Sequence, residues 1–158
     1  LATREASHKA DAPPIFLFIH ALQRFRMLRQ EEHFGFSSSG GDGEPPRPER
    51  QFGQVIREGP VHGIHVLTWC DTAGNLNRSL DRQSLREFES RVLFQMGSTD
   101  SSNLIDSPAA SKLGMHRALF FSEEQGAIEK FRPYAAPESH WLNTIAAGLK
   151  SRSTSKAK

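Results

Sequence analysis

The chain has 158 residues and a mass of 17.7 kDa, the size of one domain. Its 20 basic and 18 acidic residues leave a net charge of +2 and a pI near 8.9, which excludes a global basic field of the kind that by itself implies nucleic acid. Cys70 is the one cysteine, which excludes an intrachain disulfide and a four-cysteine zinc site. The longest purely apolar run, Ile15 to Ile19, falls far short of the roughly 20 residues a membrane helix needs. The start at Leu1, with no signal-peptide pattern after it, leads us to expect a cytoplasmic piece of a longer polypeptide.

In chain order, residues 1–14 are polar, end in Pro13-Pro14 and are expected to form a flexible lead-in. Ile15-Phe16-Leu17-Phe18-Ile19 is unbroken rather than alternating, which predicts a strand covered on both faces, as in a parallel sheet. Leu22, Phe25 and Leu28 recur every three residues among arginines and predict a helix. Between Ser37 and Pro48, nine of twelve residues are Ser, Gly or Pro, a composition expected to form a mobile loop because it offers little to bury. Phe52, Val55 and Ile56 mark a second amphipathic helix, stopped by Gly59-Pro60. Residues 64–69 are rich in β-formers and predict a strand, with turn chemistry at 71–75.

Leu80, Leu85 and Phe88 predict a short helix, and residues 91–95 a third strand. Thr99 or Asp100 is a candidate cap for a helix reaching Ile105, and Pro108 a candidate start for another. Residues 118–121 and 127–132 flank Ser122-Glu123-Glu124-Gln125-Gly126 and predict a hairpin. Trp141, Leu142 and Ile145 predict a last helix, followed by a basic tail at 150–158. Strands alternating with helices predict an α/β fold whose sheet is mainly parallel, flanked by helices, with a hairpin at one edge.

Several chemistries have no motif here. There is no Gly-Lys pair and so no P-loop, no G-x-G-x-x-G and no G-x-S-x-G. His62-Gly63-Ile64-His65 has a spacing found in some metal sites, but it enters a strand, where neighbouring side chains diverge; an ordinary turn is the expected reading. The strand at 15–19 runs into His20-Ala21. In P-loop motors such a strand ends in an acid that holds magnesium, often beside a catalytic glutamate. His20 supplies no hard oxygen ligand and Ala21 cannot polarise a water.

The order of several pieces resembles the FtsK/SpoIIIE family of DNA-translocase ATPases. Residues 59–67, Gly-Pro-Val-His-Gly-Ile-His-Val-Leu, resemble that family's helix-to-strand junction ending in Gly-Ile-His. Arg91-Val92-Leu93-Phe94-Gln95, then Asp100-Ser101 and Ile105-Asp106, resemble its "R-I-A-F-…-D-S-R-…-I-L-D" run. Residues 110–115 resemble its "A-E-K-L-L-G-M-G" turn, and 118–121 the strand after it. The resemblance covers roughly residues 15–133.

The resemblance implies the part of a RecA-like P-loop NTPase domain that follows the P-loop, over residues 15–149. His20 and Ala21 then take the Walker B place with both acids lost. The family's strand-end polar sensor falls at Asp71, and the arginine of "D-S-R" at Ser102. Arg91 is the candidate intersubunit arginine, although a surface arginine beside Glu89 explains it equally. The module is expected to be catalytically degenerate and to serve a larger translocase structurally or as a regulator. It would itself hold no cofactor, with ATP and magnesium belonging to the full-length parent. The implied partners are the missing N-terminal part of the same chain, a homo-oligomeric ring and DNA, with no membrane contact. Two other readings remain open. One is an active translocase whose P-loop lies upstream, with Asp71 as the acid near the strand ends. The other is a nucleic-acid-binding module using Arg24, Arg26, Arg29 and the tail cations, without an ATP role.

Overall fold

Phe52 and Ile56 stand one helical turn apart and are both buried, so they set the inner face of the first helix, α1 (Pro48–Glu58). In this computed structural model residues 13–30 and 47–155 are described. Arg47 is extended and Pro48 takes the first helical position, where its missing N–H costs nothing. The expected loop at 37–48 lies, apart from these two residues, outside the described residues, as do most of the lead-in and the last three residues.

The turn from α1 into the next strand carries two glycines with different jobs. At Gly59 a Cβ would stand 2.3 Å from the Val55 carbonyl oxygen and 2.8 Å from that of Ile64, so no side chain fits. The Gly59 N–H donates to Val55 (3.0 Å), and its carbonyl accepts from Ile64 (2.8 Å). Pro60–His62 forms a 3-10 turn, closed by Gly63 in the left-handed region at φ 67°. The Gly63 carbonyl then accepts from the Ile15 N–H at 2.8 Å.

That bond starts the parallel pairing of β1 (Ile15–Ile19) with β2 (Ile64–Thr68), in the register Ile15 to Ile64 through Ile19 to Thr68. Ile19 and Val66 pack on a core of Leu22, Phe52, Ile56 and Leu80, joined by Leu28, Cys70, Leu76, Leu85 and Phe88. Among the described residues, nothing covers the other face. Phe16 is 54% and Phe18 72% exposed, and Leu67 is also exposed. The expectation of a strand covered on both faces is therefore corrected: only Ile19 of β1 packs on the core, Ile15 and Leu17 on the same face stay exposed, and Phe16 and Phe18 line an open aromatic face.

The three-residue spacing of Leu22, Phe25 and Leu28 matches a 3-10 helix rather than an α-helix. The chain forms two such turns, Leu22–Arg24 and Arg26–Leu28, separated at Phe25 by a ψ of 80°. The turn chemistry at 71–75 proves to be a helix start. Thr72 caps α2 (Ala73–Ser79) by accepting from the Asn75 N–H, and Asp81 caps α3 (Arg82–Arg86) by accepting from the Ser84 N–H at 2.6 Å. Burial and that N–H bond act in opposite senses on Asp81; the bond dominates and holds its carboxyl below the usual range.

β3 (Ser90–Leu93), β4 (Ala118–Ser122) and β5 (Ala127–Phe131) form a three-stranded antiparallel sheet in that order. The Glu123 N–H donates to the Glu89 carbonyl where β3 meets the hairpin. The mainly parallel sheet expected from sequence is thus divided into a parallel pair and an antiparallel trio. The alternation of strands and helices fixes the class as mixed α/β; it carries no information about which strand edge β3 selects.

Between β3 and β4 lie α4 (Ser98–Ile105) and a 3-10 turn, Pro108–Lys112. Ser101 is fully buried; its hydroxyl donates to the Ser107 carbonyl and accepts from the Ala110 N–H at 3.1 Å, which ties the two elements. Gly97, rather than Thr99 or Asp100, takes the N-cap place of α4. The last helix, α5 (Ser139–Ser155), continues through part of the segment expected to be a tail. The chain divides into two compact units, one running to Arg91 and including Phe121–Ala127, the other holding Val92–Phe120 and the residues from Ile128 onward.

The close approach at Gly59 yields a direct test. Gly59→Ala drives a methyl group into two backbone carbonyls, neither of which can swing away as a side chain would. Denaturant unfolding should show a loss of at least about 2 kcal/mol, whereas Gly114→Ala, where a Cβ meets nothing, should be near neutral.

Candidate functional site

The parallel pair brings His20, Ala21, Trp69, Cys70 and Asp71 together at its carboxyl end. In open α/β sheets this is the end where loops converge and ligands are bound. The Trp69 backbone N–H donates to the Ile19 carbonyl at 3.0 Å, and its own carbonyl accepts from Leu22 at 2.9 Å, so both chains leave the sheet in step. The His20 and Trp69 rings stack with centroids 5.0 Å apart and an interplanar angle of 10°. His20 is exposed, and its imidazole lies against the indole rather than beside a carboxylate.

Ala21 is buried and left-handed, at φ 61° and ψ 61°. A non-glycine residue costs roughly 1–2 kcal/mol there. Its carbonyl accepts from Arg24, closing the first 3-10 turn beneath the strand end. The backbone thus bends sharply at the position that the resemblance noted from sequence sets in the place of a glutamate. The bend is costly for any side chain, and burial there tolerates a methyl group but would impose a desolvation cost on a carboxylate.

Asp71 is fully exposed and carries the one carboxylate of this group. Asn75 Nδ2 donates to Asp71 Oδ1 at 2.9 Å, and the Thr72 hydroxyl lies 3.5 Å from the same oxygen. The Asn75 amide is the largest influence holding the Asp71 carboxyl below its ordinary range, with backbone N–H groups adding to it. The carboxylate therefore stays ionised through neutral pH and into mild acid. Cys70 shows the reverse: burial pushes its thiol up, and the adjacent Asp71 charge adds to that, against an opposing effect from the Thr72 N–H. The thiol lies 3.8 Å from Asp71 Oδ1 and is a protonated donor at neutral pH, not a nucleophile.

Arg91 stands elsewhere, on β3. Its guanidinium donates to Glu123 Oε2 at 2.7 Å and to the Leu85 carbonyl at 3.3 Å, and lies 5.3 Å from the centroid of the Phe121 ring. The side chain is largely buried. The residue read from sequence either as an intersubunit arginine or as a surface partner of Glu89 is therefore held by Glu123 in the hairpin turn. To reach another subunit it would have to leave these contacts. Ser102, set by the resemblance in the place of an arginine, accepts through its carbonyl from the Asp106 N–H at the end of α4.

The structure thus gathers His20, Ala21 and Asp71 at one strand edge, as their positions in the sequence suggest, and ties Arg91 down. Sequence reasoning missed the Asn75 clamp on Asp71 and the open face formed by Phe16, Phe18, His65 and Leu67. His65, half of the His-x-x-His spacing, stacks on Phe16 with centroids 5.4 Å apart. Among the described residues no three His, Cys, Asp or Glu side chains converge as a metal site requires. Among them, too, no helix is long and apolar enough to cross a membrane. No protein-family model matches the chain, and no curated protein shows significant similarity to it.

The clamp on Asp71 can be checked by titration. Asn75→Ala removes the first cause of the depression, so the Asp71 carboxyl should titrate closer to an ordinary aspartate in an NMR pH series. The sign follows from linkage. A depressed folded pKa contributes stability above the unfolded pKa and loses it as pH falls through the folded one. The wild-type chain should therefore hold its stability into more acidic buffer than Asn75→Ala does.

Proposed function

We propose that the chain is the part of an FtsK/SpoIIIE-type, RecA-like motor domain that follows the P-loop, in a catalytically degenerate form. It acts as a structural or regulatory module of a larger, cytoplasmic translocase. The observation that carries the reading is the end of β1: where such a motor keeps an acid for magnesium and a second for water, this chain has His20 stacked on Trp69 and Ala21 buried on a left-handed bend. The ordered motifs from Gly59 to Phe121 supply the family. The two glycines of the junction motif each meet a backbone requirement, which supports reading the motif as a structural signature and not a chance string.

ATP and magnesium belong, in this proposal, to a P-loop elsewhere in the parent. The residues here do not fit them: neither His20 nor Ala21 offers an oxygen ligand, and no step is assigned to this chain. Arg91 serves the sheet, through Glu123 and Phe121, in place of a neighbouring nucleotide. The ring and DNA partners of the family would be contacted by the parent assembly.

One observation favours a second reading. Asp71 is ionised, exposed and on the correct strand edge, and so is the one acid from which an active parent enzyme could hold a hydrated metal. His20→Asp separates the two readings. Under the degenerate reading it removes only a ring stack, worth about 1 kcal/mol, and its denaturant midpoint is the same with and without magnesium. If His20→Asp is more stable than the parent chain only when magnesium is present, the strand end is still built for a metal and the active reading replaces the degenerate one.

A further inference from the structure

The hairpin of β4 and β5 is polarised by charge. Its turn carries Glu123 and Glu124, and Glu123 is taken up by Arg91. The turn sets the start of β4 beside the end of β5, so Arg117, one residue before β4, and Arg132, one residue after β5, leave the sheet at the same end. Lys130 stands near the end of β5, and Lys112 closes the 3-10 turn that leads into β4. These four side chains are exposed, and among the described residues none of them has a hydrogen-bond or ion-pair partner. Glu129 is the one acid of the two strands, and alternation along β5 turns it to the face opposite Lys130.

The same end carries two apolar groups that the chain does not cover. Leu113 and Ala118 are buried and hold the two ends of a loop whose residues between, Gly114 to Arg117, are all exposed. Met115 in that loop is 81% exposed, and Tyr134, two residues beyond Arg132, is 102% exposed, an aromatic ring with no packing in the chain. Charge is segregated more widely as well. The unit that holds this end, Val92–Phe120 and Ile128–Lys158, has eight Lys or Arg against four Asp or Glu, whereas the rest of the chain has twelve against fourteen.

We infer that this end of the hairpin docks on the surface of an anionic phospholipid membrane, without crossing it. Unpaired cations meet lipid phosphates with no internal ion pair to break, and each such cation near the surface is worth about fivefold in partition. Charge alone or one apolar group alone binds weakly, and the two together give a stable contact. Met115 supplies the apolar insertion, and the Tyr134 ring suits the headgroup level, where one end of the side chain is wet and the other apolar. A single nucleic-acid strand fits less well. It takes a groove that follows its backbone, with successive aromatic faces for its bases. Here the cations surround an exposed end with one aromatic ring, and the exposed side chain of the loop is a thioether. The contact needs no nucleotide, so it stands whether or not the chain is a degenerate motor. It departs from the family resemblance, which implies no membrane contact.

Co-sedimentation of the chain with vesicles of equal parts phosphatidylglycerol and phosphatidylcholine tests it, with pure phosphatidylcholine as the control. The expected result is binding to the mixed vesicles alone, weakened by added salt. Arg117→Glu with Arg132→Glu should weaken it at least about twentyfold, the worth of two cations at about fivefold each. Met115→Asp should weaken it at unchanged circular dichroism, and Arg24→Glu with Arg26→Glu, outside this unit, should leave it as it is. A chain that stays in the supernatant with the mixed vesicles overturns the inference. So does binding that survives the Arg117 and Arg132 reversals but is lost in the Arg24 and Arg26 pair. Single-stranded DNA bound in place of vesicles, and released by Arg117→Glu with Arg132→Glu, would replace the lipid surface with a nucleic acid.

Discussion

The parallel pair depends on the short turn between α1 and β2, where the backbone of Gly59 passes too close to two carbonyls to carry any side chain. That close approach fixes the angle at which the chain leaves the helix. Gly63 then reverses it in the left-handed region, and the Gly63 carbonyl receives the first hydrogen bond from β1. Register follows from that bond. Because strand side chains alternate, a slip of one residue would move Phe16, Phe18 and His20 to the helix-covered face and expose Ile19. The identity of the residues at the strand end, and hence the chemistry there, rests on this turn.

With the register set, two kinds of contact compete at the carboxyl end of the pair. Stacking of His20 on Trp69 and burial of Ala21 favour a closed, apolar end. Asp71, clamped by Asn75 and Thr72, keeps one ionised group beside it. A magnesium–phosphate site needs several oxygen ligands converging on one point, and a single exposed carboxylate does not provide them. The other charged group of interest, Arg91, is committed to Glu123, the Leu85 carbonyl and the Phe121 ring, where it joins β3 to the hairpin turn.

Much of this was legible in the sequence, for identifiable reasons. The apolar strand at 15–19, the helix around Phe52 and Ile56, and the hairpin about Gly126 each rest on local periodicity and turn chemistry. So does the placing of His20, Ala21 and Asp71 at strand ends. What was not legible depends on contacts distant in sequence. The run at 15–19 reads as doubly covered because five apolar residues are consistent with either one buried face or two. The three-residue spacing of Leu22, Phe25 and Leu28 was a 3-10 signal, but α and 3-10 periods differ too little over seven residues to separate. Thr72 and Asp81 were available as caps; the glycine and asparagine after Thr72 instead suggested a turn. The pairing of β3 with β4, and of Arg91 with Glu123, links residues about thirty apart in the chain and leaves no local mark.

The central proposal is that this chain derives from a nucleotide motor but lacks the means to hold a nucleotide, and calorimetric titration of magnesium ATP into the chain tests it most directly. P-loop amides and the P-loop lysine supply most phosphate contacts in such motors, and neither is present in the sequence. The account predicts no binding tighter than about millimolar, a free energy near 4 kcal/mol, and no phosphate release. Micromolar affinity, abolished by Asp71→Asn, would contradict it and make the strand end a working site.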